Sequence, residues 1–246
     1  MLLRGKSLVK TVRFKKFSYI GDPANTCRIF NELEVDELAF LDITASPEGR
    51  EPNFDLLSEI ADECFMPVSY GGGIRSVAMA ERILQLGFEK VILNTGVVEN
   101  AELITDITSI SGSQSVVVSI DVKSDWLGRQ ECRCLSGKRK APSTVVKWAK
   151  EVEERGAGEI LLTSIDREGS WMGFDVELVK AVTDAVAIPV IANGGAGSVE
   201  DIGIVVKRGG ASAVALGSMV VYQKKGMGVL VNFPDERTLA QALKCP

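Results

Sequence analysis

Seven short runs of β-branched and other apolar residues alternate along this chain with seven segments whose apolar positions recur at helical spacing. The runs at 37–42, 66–70, 90–94, 115–121, 159–164, 188–192 and 212–217 predict strands, and 23–33, 54–64, 77–86, 101–110, 144–155, 176–185 and 199–207 predict helices. Near-continuous apolar strands are buried on both faces, and their alternation with helices predicts a parallel sheet covered on its outer side. Length (246 residues) and strand count favour closure into a single α/β domain over 1–246, a (β/α)₈ or TIM barrel, rather than a doubly wound sheet. The first helix illustrates the local physics. Asp22 can accept from the free backbone N–H groups of the first turn, and Pro23 occupies the position where no donor is needed.

The chain also repeats itself at half length. Pro67-Val68, Gly72-Gly73, Ser76-Val77 and Gly87 match Pro189-Val190, Gly194-Gly195, Ser198-Val199 and Gly209 at one constant offset, and Leu41-Asp42 parallels Ile165-Asp166. Two similar half-barrels, each with a glycine turn after its third strand, imply a site with twofold pseudo-symmetry. Matched anion sites facing each other suit a substrate with a phosphate at each end.

Only seven residues precede Leu8-Val9-Lys10, which leaves little room for a first strand. An unclosed barrel exposes a sheet edge. The expectation is that strand one is shortened, or that the natural start lies upstream of Met1.

Composition narrows the chemistry. The chain has no histidine, so Ser-His-Asp and Cys-His hydrolysis by this chain alone are excluded and any proton transfer falls to Asp, Glu, Lys, Tyr or Cys. A net charge of −5 gives no reason to expect nucleic acid, and no apolar run approaches the roughly 20 residues that span a bilayer. Cys27, Cys64, Cys132, Cys134 and Cys245 are an odd set without a second close pair, so neither a disulfide framework nor a metal site is expected. Reduced thiols in a cytoplasmic protein, with no cofactor, are the expectation.

Three groups of residues carry candidate chemistry. The turns Gly71-Gly72-Gly73 and Gly194-Gly195-Ala196-Gly197 follow strands and open helices, where bare backbone can aim N–H groups at a phosphate. Asn94-Thr95 and Gly217-Ser218 end the next strands and add donors beside each turn. The same glycines could serve only tight turns. Asp42, Asp121 and Asp166 lie at strand C-termini, the rim where catalytic groups sit on this fold, although each could instead cap the following helix. Asp121 ends the run Val116 to Ile120, and burial beside apolar strands should raise its pKa. At the opposite ends Glu37, Lys90 and Glu159 begin strands, so their charges should converge on the barrel floor, as surface ion pairs or as a gate.

These motifs together resemble the cyclase subunit of imidazole glycerol phosphate synthase, HisF, across nearly the whole chain. The matching segments include Gly21-Asp22-Pro23, Asp36 to Ser46, Gly71-Gly72-Gly73-Ile74, Lys90 to Thr95, Val116 to Asp121, Arg155 to Arg167 and Ile191 to Gly197. The resemblance implies a lyase-type synthase subunit on whose N-terminal face a HisH-type glutaminase docks. Ammonia then crosses the barrel to a bisphosphorylated aminoimidazole-carboxamide precursor. It implies Asp121 as one of two catalytic aspartates, with Lys10 a loop lysine near the substrate. It places one phosphate on Thr163, Gly169, Gly195, Gly217 and Ser218, with Gly194 in the same turn, and the other on Gly73, Asn94 and Thr95, with Gly72. Glu37, Lys90 and Glu159 match three members of the family's four-residue gate; the fourth, an arginine, would precede Met1.

The main departure is at the other catalytic aspartate, whose place falls on Leu2. Lesser ones are Glu168 for aspartate, the segment Met219 to Tyr222, and the altered loop from Arg4 to Thr11. This pattern resembles the specialised HisF-like branch found with surface-polysaccharide genes, the WbuZ type. There the barrel and its glutaminase are implied to supply ammonia to a separate amidotransferase that makes an acetamidino sugar. The alternative is an active cyclase of histidine biosynthesis.

Overall fold

The computed structural model describes residues 1–244. Among the described residues there are twelve strands: β1 (Leu2–Arg4), β2 (Ser7–Val12), β3 (Lys15–Gly21), β4 (Leu38–Asp42), β5 (Val68–Gly71), β6 (Lys90–Leu93), β7 (Val116–Ser124), β8 (Gln130–Cys134), β9 (Arg139–Lys140), β10 (Glu159–Ser164), β11 (Val190–Asn193) and β12 (Ala213–Ala215). Eight of them, β1, β4, β5, β6, β7, β10, β11 and β12, run parallel in that order, the strand order of a TIM barrel. Helices connect them on the outside. The expected cap is in place, with Asp22 accepting from the Asn25 N–H, and Ser76 and Ser198 also cap the helices that follow the two glycine turns.

The first strand is short, and β2 turns back beside it through Gly5-Lys6, pairing Leu2 with Val9 and Arg4 with Ser7. The edge of β1 not paired with β4 is therefore covered by β2, which in turn pairs with β3. Among the described residues no backbone ladder joins β12 to β1. Lys10 spans the seam at the mouth, its Cε within 2.9 Å of where a Cβ on Gly217 would lie. The sheet edge that a shortened first strand threatens to expose is thus closed over by a hairpin.

Side chains alternate strictly. Leu3, Phe40, Val91, Val116, Val118, Ile120, Ile160 and Leu162 belong to the large core between sheet and helices. The other parity points into the barrel, where Ile92, Val117 and Leu161 pack with Ala39, Leu41, Ile191 and Ala215. Among the described residues no helix is long and apolar enough to cross a membrane. Cys27 and Cys64 lie with their sulfurs 3.3 Å apart as free thiols, while Cys245 falls outside the described residues.

Candidate functional site

The inward parity sorts the barrel interior into three tiers. At the floor, Lys90 Nζ donates to Glu37 Oε2 at 2.9 Å and to Glu159 Oε1 and Oε2 at 3.0 and 3.2 Å. Burial works against the charge on Lys90, but its bonds to Glu37 and Glu159 outweigh that and hold its pKa above the usual lysine value. The three residues read from strand starts therefore do converge. Above them lies the apolar belt. Along β10 the same face carries Glu159, Leu161 and Thr163 in turn, so floor and mouth are separated by four residues, about 13 Å at about 3.3 Å each.

At the mouth, Asp121 and Thr163 are register partners on β7 and β10, and Thr163 pairs with Asn193 on β11. Asp121 is buried, accepting from Ser119 Oγ at 3.2 Å and Asn94 Nδ2 at 3.3 Å. Burial pushes its pKa up to about 7, against the opposing hydrogen bonds from Ser119 and Thr163. Asn193 Nδ2 donates to Thr163 Oγ1 at 3.0 Å. A carboxyl group poised near neutrality can take or give a proton at working pH.

A pH dependence follows from that pKa. Asp121 binds its proton more tightly folded than unfolded, so its contribution to stability is fully present at acid pH and is lost as pH rises through about 7. Asp121→Asn, which removes the buried charge, should therefore raise Tm relative to wild type at pH 8 and much less at pH 5. At about 1.4 kcal/mol per pKa unit, the gain is at most about 4 kcal/mol. A gain independent of pH would show that Asp121 is not held near neutrality.

The two glycine turns superimpose in their logic as well as their sequence. Gly72, Gly73, Gly194 and Gly195 all have φ between 73° and 128°. A Cβ on Gly72 would lie 2.6 Å from the Asp42 carbonyl, and one on Gly194 would lie 2.7 Å from the Ser164 carbonyl. Around the second turn a water-sized cavity of about 20 Å³ is lined by Lys10, Glu168, Gly169, Asn193, Gly194, Gly195, Gly217 and Ser218. Lys10 Nζ sits there, 2.5 Å from Glu168 Oε1, while Glu168 Oε2 accepts the Phe14 N–H at 3.2 Å. Gly169 lets the β10 loop lie against β2, since a Cβ there would meet the Thr11 carbonyl at 2.6 Å. In the first half, Thr95 Oγ1 accepts the Leu135 N–H at 3.0 Å and donates to Asn94 Oδ1 at 3.3 Å.

Two of the strand-end carboxylates are not at the mouth. Asp42 turns outward, where Oδ1 accepts from the Thr44 and Ala45 N–H groups, and Asp166 accepts from the Ser124 N–H. Asp42 faces away from the axis by its parity along β4, and Asp166 lies in the turn beyond the end of β10, where it ties down the end of β7. Four residues at the mouth were not singled out from sequence as site groups: Ser119, Asn193, Glu168 as the partner of Lys10, and Arg133. The signal for Ser119 and Asn193 was available, since both lie two residues along the inward face from an interior residue.

Leu2 pairs with Leu41, which faces the interior, and its neighbour Leu3 belongs to the outer core. Leu2 therefore faces inward beside Leu41. A family model described as histidine biosynthesis protein matches residues 2–226. The chain is 48% identical to "Putative imidazole glycerol phosphate synthase subunit hisF2" of Pseudomonas aeruginosa, over 97% of this chain and 95% of that protein. It is 45% identical to "Putative imidazole glycerol phosphate synthase subunit HisF" of Leptospira borgpetersenii, over 96% and 93% of the two chains. The chain belongs to the HisF family. It is also 45% identical to "Imidazole glycerol phosphate synthase subunit HisF" of Caulobacter vibrioides, over 90% of this HisF-like chain and 85% of that protein.

Proposed function

We propose that this HisF-like chain is the synthase subunit of a glutamine amidotransferase complex and conducts ammonia from a HisH-type glutaminase on its N-terminal face. The three-tier interior carries the reading: a charged floor of Glu37, Lys90 and Glu159, an apolar belt, and Asp121 at the mouth. Neutral ammonia can cross an apolar belt at little cost, whereas ammonium must shed its hydration to do so. The floor triad then acts as the gate through which ammonia enters.

The finer reading is that the ammonia serves a separate sugar amidotransferase, which forms an acetamidino sugar for a surface polysaccharide. It is supported by Leu2, an inward-facing side chain that can neither donate nor accept a proton where the family resemblance places an aspartate. The second reading, an active cyclase of histidine biosynthesis acting on a bisphosphorylated substrate, is favoured by Asp121 near neutrality and by the two intact glycine cradles.

The gate has its own test. Lys90→Leu in the complex should lower glutamine-dependent turnover by about tenfold or more while leaving ammonium-driven turnover within about twofold, because free ammonia bypasses coupling. The lost ion pairs leave Glu37 and Glu159 only part-buried, so the fold should survive. Equal loss of both activities would make Lys90 a structural residue and remove the gate.

A further inference from the structure

β8 folds back on the C-terminal half of β7 as an antiparallel hairpin and carries β9 on its other edge. Its register is Asp121 with Arg133 and Lys123 with Glu131, so Arg133 emerges on the same face as Asp121. Cys132 and Cys134 take the opposite face and are buried, Cys132 within the core under the helices. The Asn94 amide binds both Asp121 Oδ2 and, at 3.4 Å, the Arg133 carbonyl, while Thr95 holds Leu135 two residues further on. The backbone at Arg133 is therefore tied to Asn94 and Thr95, two members of the first-half cradle.

Its guanidinium is only half used. Nη2 bonds Glu131 Oε2 at 2.5 Å, and Lys140 Nζ binds the other oxygen of Glu131 at 2.7 Å. Two cations share one carboxylate, which leaves the trio with a net positive charge. Nε is buried and has no hydrogen-bond partner. A buried guanidinium N–H without an acceptor is costly, and an oxyanion arriving at the mouth would satisfy it in the planar geometry that suits phosphate.

We propose that Arg133 is a specificity-determining binding residue that grips the phosphate held by the first-half cradle. This rests on the reading of the two cradles as phosphate sites. It makes the two ends of the pseudo-symmetric site unequal: a lysine already neutralised by Glu168 serves one, and an arginine with an idle N–H serves the other.

The test uses the full chain and inorganic phosphate, followed by titration calorimetry and ³¹P NMR. Wild type should take up two phosphates per chain. Arg133→Met should weaken one of them by roughly 10- to 100-fold, the range expected for a charge-assisted hydrogen bond, and leave the other unchanged. Arg133→Lys, which keeps the charge but loses the fork, should recover only part of that loss. Two sites of wild-type affinity in Arg133→Met would overturn the proposal while leaving the cradles as phosphate sites. No phosphate uptake by wild type would overturn the cradle reading and this inference together. Should Arg133→Met fail to fold, Arg133→Lys decides alone, and unchanged affinity there overturns the proposal.

Discussion

Leu2→Asp should raise the rate of this barrel on the bisphosphorylated aminoimidazole-carboxamide precursor by roughly 10²-fold or more. The expectation rests on what is already assembled at the mouth. Asp121 is buried with its pKa pushed up to about 7, Lys10 stands beside the second cradle, and both glycine turns are formed. Position 2 faces inward beside Leu41 and is half-buried, so an aspartate there would reach the same space without being sealed from water. One positioned proton-transfer group is typically worth about 10²–10⁴ in rate. The same substitution in an Asp121→Asn background should give no gain, because the two carboxyl groups would act as a pair. A Leu2→Asp protein that folds, binds the substrate and stays inactive would show that more than the missing carboxylate separates this chain from a working cyclase.

Gly195→Ala should do the greatest damage among single-methyl changes to the cradles. A Cβ there would lie 2.1 Å from the Gly173 carbonyl, at a φ of +116° that an L side chain rarely adopts. The carbonyl cannot simply move aside, because the Gly173 N–H is bonded to the Gly195 carbonyl at 2.9 Å. Backbone strain of this kind costs on the order of 1–3 kcal/mol, or several degrees in Tm for a chain of this size. Because the displaced N–H groups are those that would face the phosphate, affinity at that cradle should fall by about tenfold or more while the first-half cradle is spared. Gly228→Ala is the control, since nothing lies within 4 Å of its added Cβ. Differential scanning calorimetry and phosphate titration of the two variants check both parts. Equal behaviour of the two would mean that the second turn tolerates a side chain and is not built for backbone approach.

The barrel strands and the helices between them were legible because each strand buries both faces and each helix one, which leaves periods that differ along the sequence. The two hairpins were not. β3 has five consecutive exposed residues, with Phe17 and Tyr19 turned to solvent, so no buried face writes a pattern into it. β8 buries only Cys132 and Cys134, separated by polar residues, too short an apolar alternation to stand out in the sequence. The seam hid for the same reason, since β2 takes the free edge of β1 through a tight turn that apolar spacing does not announce. At the site, Asp121 was readable as the polar end of an apolar run, and the floor triad as charges at strand starts. The pairing of Lys10 with Glu168 joins residues 158 apart in sequence, and the placement of Arg133 depends on one register of one hairpin. Such contacts are properties of the folded topology and have no local signature.

The most direct test of the central claim, that this barrel passes ammonia onward while doing no cyclase chemistry of its own, is a turnover assay. Purified protein is given the bisphosphorylated precursor and excess ammonium at alkaline pH, with Asp121→Asn as control. The account predicts no turnover from a folded protein, and no difference between the two. Turnover that disappears in Asp121→Asn would contradict it, making the chain a working cyclase in which Asp121 carries the chemistry without a partner at position 2.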